Sequence, residues 1–175
     1  MFHKVALAVI VCACAGTAIA QNVLVNPGFE TGAHSPWFAD SGSPFVTNTE
    51  AHSGLFSNAG FSGDSIRQNF APIPAATITE VSLWVKRLGG AFDQYSFYYD
   101  DNTTGTFLIN DIGGGDDWKQ HILTSNLDLG KNLTGFSIFG TTNGPAYMDD
   151  FIITPAPGAA SLLALGGIIA GRRRR

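Results

Sequence analysis

From Asn22 to Thr154 the chain alternates apolar and polar positions with a period of two, in short runs broken by turn-forming residues. The clearest run is Thr77 to Arg87, where Val81, Leu83 and Val85 point one way and Ser82, Trp84 and Lys86 the other. Such alternation marks a strand with one buried face. Gln94 to Asp100 repeats it, setting Tyr95, Phe97 and Tyr99 against Ser96, Tyr98 and Asp100. Shorter runs at 22–25, 45–48, 55–59, 65–70, 106–110, 118–124, 135–140 and 147–154 complete the set of expected strands. Pro72 and Pro74 are expected to end the 65–70 run, because proline cannot donate to a ladder. The stretches between, such as NPGFETG, DDNTTG and GGGDD, are rich in the Gly, Asn and Asp that turns favour. No helix signal of useful length lies between Asn22 and Thr154. The pattern predicts an all-β domain, an antiparallel β-sandwich or barrel.

Both ends break this pattern. Val5 to Cys14 is an apolar run after His3 and Lys4, and Ala18-Ile19-Ala20 is a small-x-small site before Gln21. Residues 1–20 therefore read as a secretory signal peptide. A weaker reading has Cys14 lipid-modified, because Val11-Cys12-Ala13-Cys14 loosely resembles a lipobox. At the other end, residues 155–175 run from Pro155-Ala156-Pro157 through an uncharged stretch, Ala159 to Gly171, to Arg172, Arg173, Arg174 and Arg175. The thirteen-residue stretch is shorter than the roughly 20 residues of a stable spanning helix. The arginines beside it read as a cytoplasmic stop. The rival reading is a solvated basic tail, which has no use for Leu162, Leu163, Leu165, Ile168 and Ile169 together.

Removing both ends leaves a body of one-domain size, residues 21–154. Its charge changes the picture: five basic against fourteen acidic residues, a difference of −9 where the whole chain carries −4. An acidic body argues against a nucleic-acid partner, which needs a basic face. Both cysteines, Cys12 and Cys14, lie in the signal segment, so no disulfide framework supports the body.

Two resemblances follow from these residues. The order of Pro motif, short apolar helix and terminal Arg cluster resembles the PEP-CTERM sorting signal of exported bacterial proteins, with Ala156 where the family motif has Glu. That resemblance implies recognition by a membrane-embedded exosortase, cleavage near Pro155 and Pro157, and transfer to the cell surface or extracellular matrix. Membrane association through the C-terminal helix would be transient or permanent. The body is similar to the galactose-binding-like jelly rolls of the carbohydrate-binding-module type. The similarity rests on NVLVNPGFETG, Pro36-Trp37, His52-Ser53-Gly54, the Trp84 strand, Trp118 and the closing AYMDDFIIT. It implies two stacked antiparallel sheets, a structural calcium ion and polysaccharide binding, with Trp37 and Trp118 at positions that tend to pack inside.

A calcium site would join Glu30 to Asp150, since calcium takes six to eight oxygens from carboxylates and loop carbonyls. Carbonyls of Gly32 or of the 52–54 turn would complete the shell. The rival reading leaves Glu30 in solvent and makes Asp149-Asp150 the start of a strand. On a regular strand these two aspartates point to opposite faces, so only one of them joins a given site. A sugar platform would use Trp84 and Tyr98, which share the more polar registers of their strands, if those strands are neighbours; Trp118 would add a loop-edge contact. Against that, large aromatics on strands are more often core. Catalysis has little to stand on. The pairs Asp100-Asp101, Asp116-Asp117 and Asp149-Asp150 read first as turn formers. His34, His52 and His121 have no metal-ligand spacing, and no nucleophile elbow is present.

The expectation is a non-enzymatic, exported surface or matrix protein with a possible carbohydrate-binding jelly roll. Its rival is a purely structural or adhesive surface protein, and a glycoside-active enzyme is a distant third. A sugar binder exposes aromatics on one face. A structural protein buries Trp37, Trp84 and Trp118, and an enzyme sets two carboxylates across a pocket.

Overall fold

A computed structural model describes residues 20–87, 93–109, 117–140 and 144–157. Residues 1–19 of the expected signal peptide, the apolar run expected in the tail and Arg172 to Arg175 lie outside these residues. Among the described residues the chain forms β1 (Phe38–Ser41), β2 (Phe45–Thr47), β3 (Ser57–Gly60), β4 (Ser65–Pro74), β5 (Ile78–Arg87), β6 (Asp93–Tyr99), β7 (Thr104–Ile109), β8 (Lys119–Ile122), β9 (Asn132–Gly140) and β10 (Ala146–Pro155). They build two five-stranded sheets with orders β1-β4-β9-β6-β7 and β2-β3-β10-β5-β8. Every pairing is antiparallel. The alternation along the sequence thus does what its period requires, giving each sheet one apolar face.

Those faces meet in one core. Val81, Leu83 and Val85 of β5 and Tyr95, Phe97 and Tyr99 of β6 are all buried. An aromatic chain links the two sheets: Phe29, Trp37, Phe151 and Phe136 follow one another with ring centroids 5.7, 4.9 and 6.0 Å apart. Each fully buried ring of this kind contributes roughly 1.5–3 kcal/mol, so the body stands on packing without cysteines.

Four local differences from the sequence expectation have physical causes. Residues 22–25 form no strand. Instead the Asn22 carboxamide donates to the Phe151 carbonyl (2.7 Å) and accepts from the Ile153 N–H (3.0 Å), doing through a side chain what a ladder does through backbone. Gln68, buried on β4, then clasps Val25 by both its N–H (2.8 Å) and its carbonyl (2.9 Å). Strand β1 carries no apolar alternation because all four of its residues are exposed. Strand β4 does not stop at Phe70 but runs to Pro74 through an irregularity between Asn69 and Ile73. Its pairing with β1 covers only Ser65 to Arg67, so Pro72 and Pro74, which have no N–H, sit where β4 has no donor to give to β1. Strand β10 extends one residue beyond Thr154, to Pro155, and the Ala156 N–H still reaches the Thr77 carbonyl (2.6 Å).

Among the described residues no helix is long and apolar enough to cross a membrane.

Candidate functional site

Two places gather the chemistry-bearing residues, one on the outer face of each sheet. The first is where the 50s loop meets β10. Asp149 lies directly opposite Trp84 across β10 and β5, so both side chains occupy the outer face of the second sheet. The register then slips between Asp149 and Ile152, and Asp150 takes a left-handed backbone (φ 47°). That bulge corrects the expectation that the two aspartates serve opposite faces, because a bulge re-aims a side chain that a regular strand would turn away. Both now hold one loop. The Asp149 carboxylate accepts the N–H groups of His52 (2.9 Å), Ser53 (3.2 Å) and Asp150 (2.7 Å). Asp150 meets His52 Nδ1 at 2.6 Å and accepts the Ser53 hydroxyl at 2.8 Å.

Asp149 is wholly buried, and that burial pushes its carboxyl up to about 6, with backbone hydrogen bonds pulling the other way. The His52 ring lies flat on Trp84, with centroids 3.8 Å apart at 15°, and meets Trp118 edge-on at 5.6 Å. Trp84 and Trp118 are each half-buried, whereas Trp37 is core.

Glu30 belongs to the same corner. It is exposed, and its two oxygens accept the Leu55 N–H (3.1 and 3.0 Å) and the Phe56 N–H (3.1 Å). Beside it the bare Gly28 lets all three acidic side chains approach closely: a Cβ there would stand 3.3 Å from Asp149 Oδ1, 3.4 Å from Asp150 Oδ1 and 3.8 Å from Glu30 Cγ. The two residues named for calcium are therefore brought to one spot. Their donors are oxygens only, and each carboxylate oxygen has lone-pair capacity beyond one hydrogen bond, which suits a hard divalent cation. Among the described residues no three His, Cys, Asp or Glu side chains converge in metal-binding reach. Most of a cation's shell would have to come from backbone carbonyls.

The second place is the outer face of the first sheet. Residues paired across antiparallel strands share a face, which puts Phe38, Arg67, Ser137, Ser96 and Thr106 in one row and Asn69, Gly135, Tyr98 and Thr104 in the next. In these two rows the central strand β9 supplies only the small Gly135 and Ser137 between taller neighbours, with Phe139 in the row beyond. A Cβ at Gly135 would lie 2.6 Å from Asn69 Oδ1, so the amide needs that gap. Over this floor the Arg67 guanidinium stacks on Tyr98, 3.5 Å from the ring centroid, while Arg67 Nε donates to Asn69 Oδ1 (2.7 Å). The Tyr98 hydroxyl reaches Ser137 Oγ at 3.1 Å and Asp40 at 3.4 Å. This face is a flat polar platform: a planar cation over an aromatic ring, rimmed by an amide, a carboxylate and hydroxyls.

A shared Trp84/Tyr98 platform is therefore corrected. Strands β5 and β6 follow each other in sequence but lie in different sheets, so the two rings occupy opposite outer faces. The structure groups Trp84 instead with Trp118, through His52. Arg67, Asn69 and Asp40 were not foreseen; the period-two register of Arg67 and Asn69, both outward on one strand, was the available signal. Asp100 and Asp101 serve turns, accepting from Asn132 (2.8 Å) and from the Thr103 hydroxyl (2.6 Å).

No family model and no curated protein matches the chain. Solved structures do. A family 61 carbohydrate-binding module in complex with β-1,4-galactotriose aligns with TM-score 0.59 and 22% identity, covering 78% of this chain and 99% of that one. A second family 16 carbohydrate-binding module gives 0.55 at 17%, covering 75% and 99%. A xylan-binding family 22 module from Paenibacillus barcinonensis gives 0.54 at 17%, covering 81% and 98%. The fold is that of the jelly-roll β-sandwiches to which these modules belong.

Proposed function

We propose that this protein is a non-catalytic carbohydrate-binding β-sandwich that lays a polysaccharide chain across the outer face of its first sheet. The observation that carries the reading is the Arg67–Tyr98 stack over the low floor of Gly135 and Ser137, rimmed by Asn69 and Asp40. Sugar rings have apolar faces that stack and hydroxyl rims that need paired donors and acceptors, and small-ligand sites combine the two. The similar modules add support, since one holds a galactotriose and another is called xylan-binding. Tyr98 and Arg67 would carry the contact. Trp84 and Trp118 would chiefly hold the 50s loop, and a screen of Trp84→Ala beside Tyr98→Ala tests that division. The experiment is a polysaccharide array probed with the wild-type chain. Binding to a β-linked neutral glycan, lost in Tyr98→Ala with the fold intact, is the expected result.

One observation favours a structural or adhesive role without a ligand. All three rings singled out in the sequence already carry a protein partner, His52 on Trp84 and edge-on to Trp118, and Arg67 on Tyr98. Silence across the array would transfer the reading to that role.

Export, exosortase processing at Pro155 and Pro157, and final residence at a bacterial cell surface or matrix rest on the two terminal segments of the sequence. A tag placed after Arg175 that survives on an intracellular protein would refute them. We also propose that Glu30 and Asp150, with loop carbonyls, hold a structural calcium ion that ties the first loop to β10. A ligand of the folded state alone raises the melting temperature, so a chelator should lower it, and indifference to chelator removes the ion from the account.

A further inference from the structure

A groove of about 410 Å³ lies on the flank of the sandwich, between the edge strand β7 and the segment 124–131. It is remote in sequence and in sheet position from the Glu30–Asp150 corner, and it falls within the roughly 300–1,000 Å³ of small-molecule sites. Its apolar wall is made by Tyr99 and Phe107. The Phe107 ring stacks on Tyr95 at 5.5 Å, so it is held in place. A Cβ at Gly105 would come within 3.0 Å of that ring. The opposite wall is fixed as well: the Asp128 N–H donates to the Tyr99 hydroxyl at 2.9 Å, and the Asn126 amide donates to the Tyr95 hydroxyl. The groove is therefore pre-formed, with both walls tied to core tyrosines.

The charge at its rim decides what it would accept. Lys131 is already engaged by Asp101 (2.9 Å), Asp128 (3.6 Å) and the Thr103 hydroxyl (2.6 Å). Hydrogen bonds from Thr103, then the one from Lys131, hold the Asp101 carboxyl down at about 2, so this balance persists across ordinary pH. Asp128 and Lys131 line the groove and Asp101 stands beside Lys131 just outside the lining, so one cation shared by two carboxylates leaves one excess negative charge at and beside the rim. An anionic ligand is repelled, and a purely apolar one makes no use of the Asp128 carboxylate and the Thr104 and Ser125 hydroxyls that line the rim. An apolar wall facing a rim of hydroxyl, amide and carboxylate matches a neutral ring that carries hydroxyls.

We propose that this flank groove is a separate subsite for a single neutral pyranose unit, independent of the platform on the first sheet. The test titrates the full chain with methyl β-D-galactopyranoside, methyl β-D-xylopyranoside and D-glucuronate, read by saturation-transfer NMR. Saturable binding of at least one neutral glycoside with a Kd of about 1–10 mM is expected, with glucuronate at least about tenfold weaker from charge repulsion. With the platform contact removed by Tyr98→Ala, saturable binding persists, and adding Ser125→Trp, which fills the groove from an exposed position, abolishes it. Asp128→Asn keeps the shape, removes the excess charge and narrows the discrimination against glucuronate. Retained binding in the Tyr98→Ala/Ser125→Trp double variant, equal binding of glucuronate and the neutral glycosides by Tyr98→Ala, loss of all binding in Tyr98→Ala alone, or no neutral glycoside bound at 50 mM (about five times the weakest expected Kd) would each overturn the proposal. Since the platform is tested by Tyr98→Ala on polymers and the groove by Ser125→Trp on single sugars in the Tyr98→Ala background, either can fail without the other.

Discussion

On the second sheet an aromatic ring, Trp84, is covered by the imidazole of His52; on the first, Tyr98 is covered by the guanidinium of Arg67. The two stacks look alike but are held differently. His52 is fastened by Asp150 through its ring and by the buried Asp149 through its backbone N–H, so the stack is tied to the bulge of β10. Arg67 is held by a neighbouring amide two residues along its own strand, on an open face. A planar group locked by two carboxylates, one of them buried, serves the fold. One resting on an open strand face can exchange its partner for a ligand at little cost to the fold.

The largest effect that would break this comparison is expected at Asp149. Truncation to alanine leaves the N–H groups of His52, Ser53 and Asp150 without their acceptor, and should cost about 3 kcal/mol in denaturant unfolding at neutral pH. A loss under about 1 kcal/mol would remove the claim that this corner is structural.

The next concerns pH. Asp149 has its folded-state pKa raised from 3.8 to about 6 by burial. Between those values the folded protein keeps a proton that the unfolded chain has released, so this group's contribution to stability falls as pH rises from about 4 to 6. Asp149→Asn has no proton to release and should flatten that slope in unfolding measured across the window. An unchanged slope would assign it to other groups.

The smallest stability effect belongs to the other face. Arg67→Ala removes a half-exposed stack and one side-chain bond, so its stability should drop by no more than about 1 kcal/mol. A larger loss would make the first-sheet stack a fastening too, and the contrast between the faces would disappear.

Much of the scaffold was legible because its cause is local. Val81, Leu83 and Val85 alternate with Ser82, Trp84 and Lys86, and the structure turns them in and out accordingly. Strand β1 was invisible because FADS is exposed throughout and is made only by its pairing with β4. The candidate sites were harder for a related reason. That Glu30 and Asp150 meet at one corner could be anticipated from the first and last segments. That Asp149 joins them depends on a backbone bulge with positive φ at Asp150, which no alternation encodes. The separation of Trp84 from Tyr98 depends on β5 and β6 entering different sheets. Two consecutive strands with good alternation read the same whether they pair or cross the core.

The most direct test of the account is calorimetric titration of the wild-type chain, Tyr98→Ala and Trp84→Ala with soluble xylan and β-1,4-galactan oligosaccharides. The account predicts that one of these binds the wild type, that Tyr98→Ala weakens it at least about tenfold (about 1.4 kcal/mol), and that Trp84→Ala lowers stability while leaving affinity within about twofold. Binding that survives in Tyr98→Ala but is lost in a folded Trp84→Ala would put the ligand on the opposite sheet and contradict it.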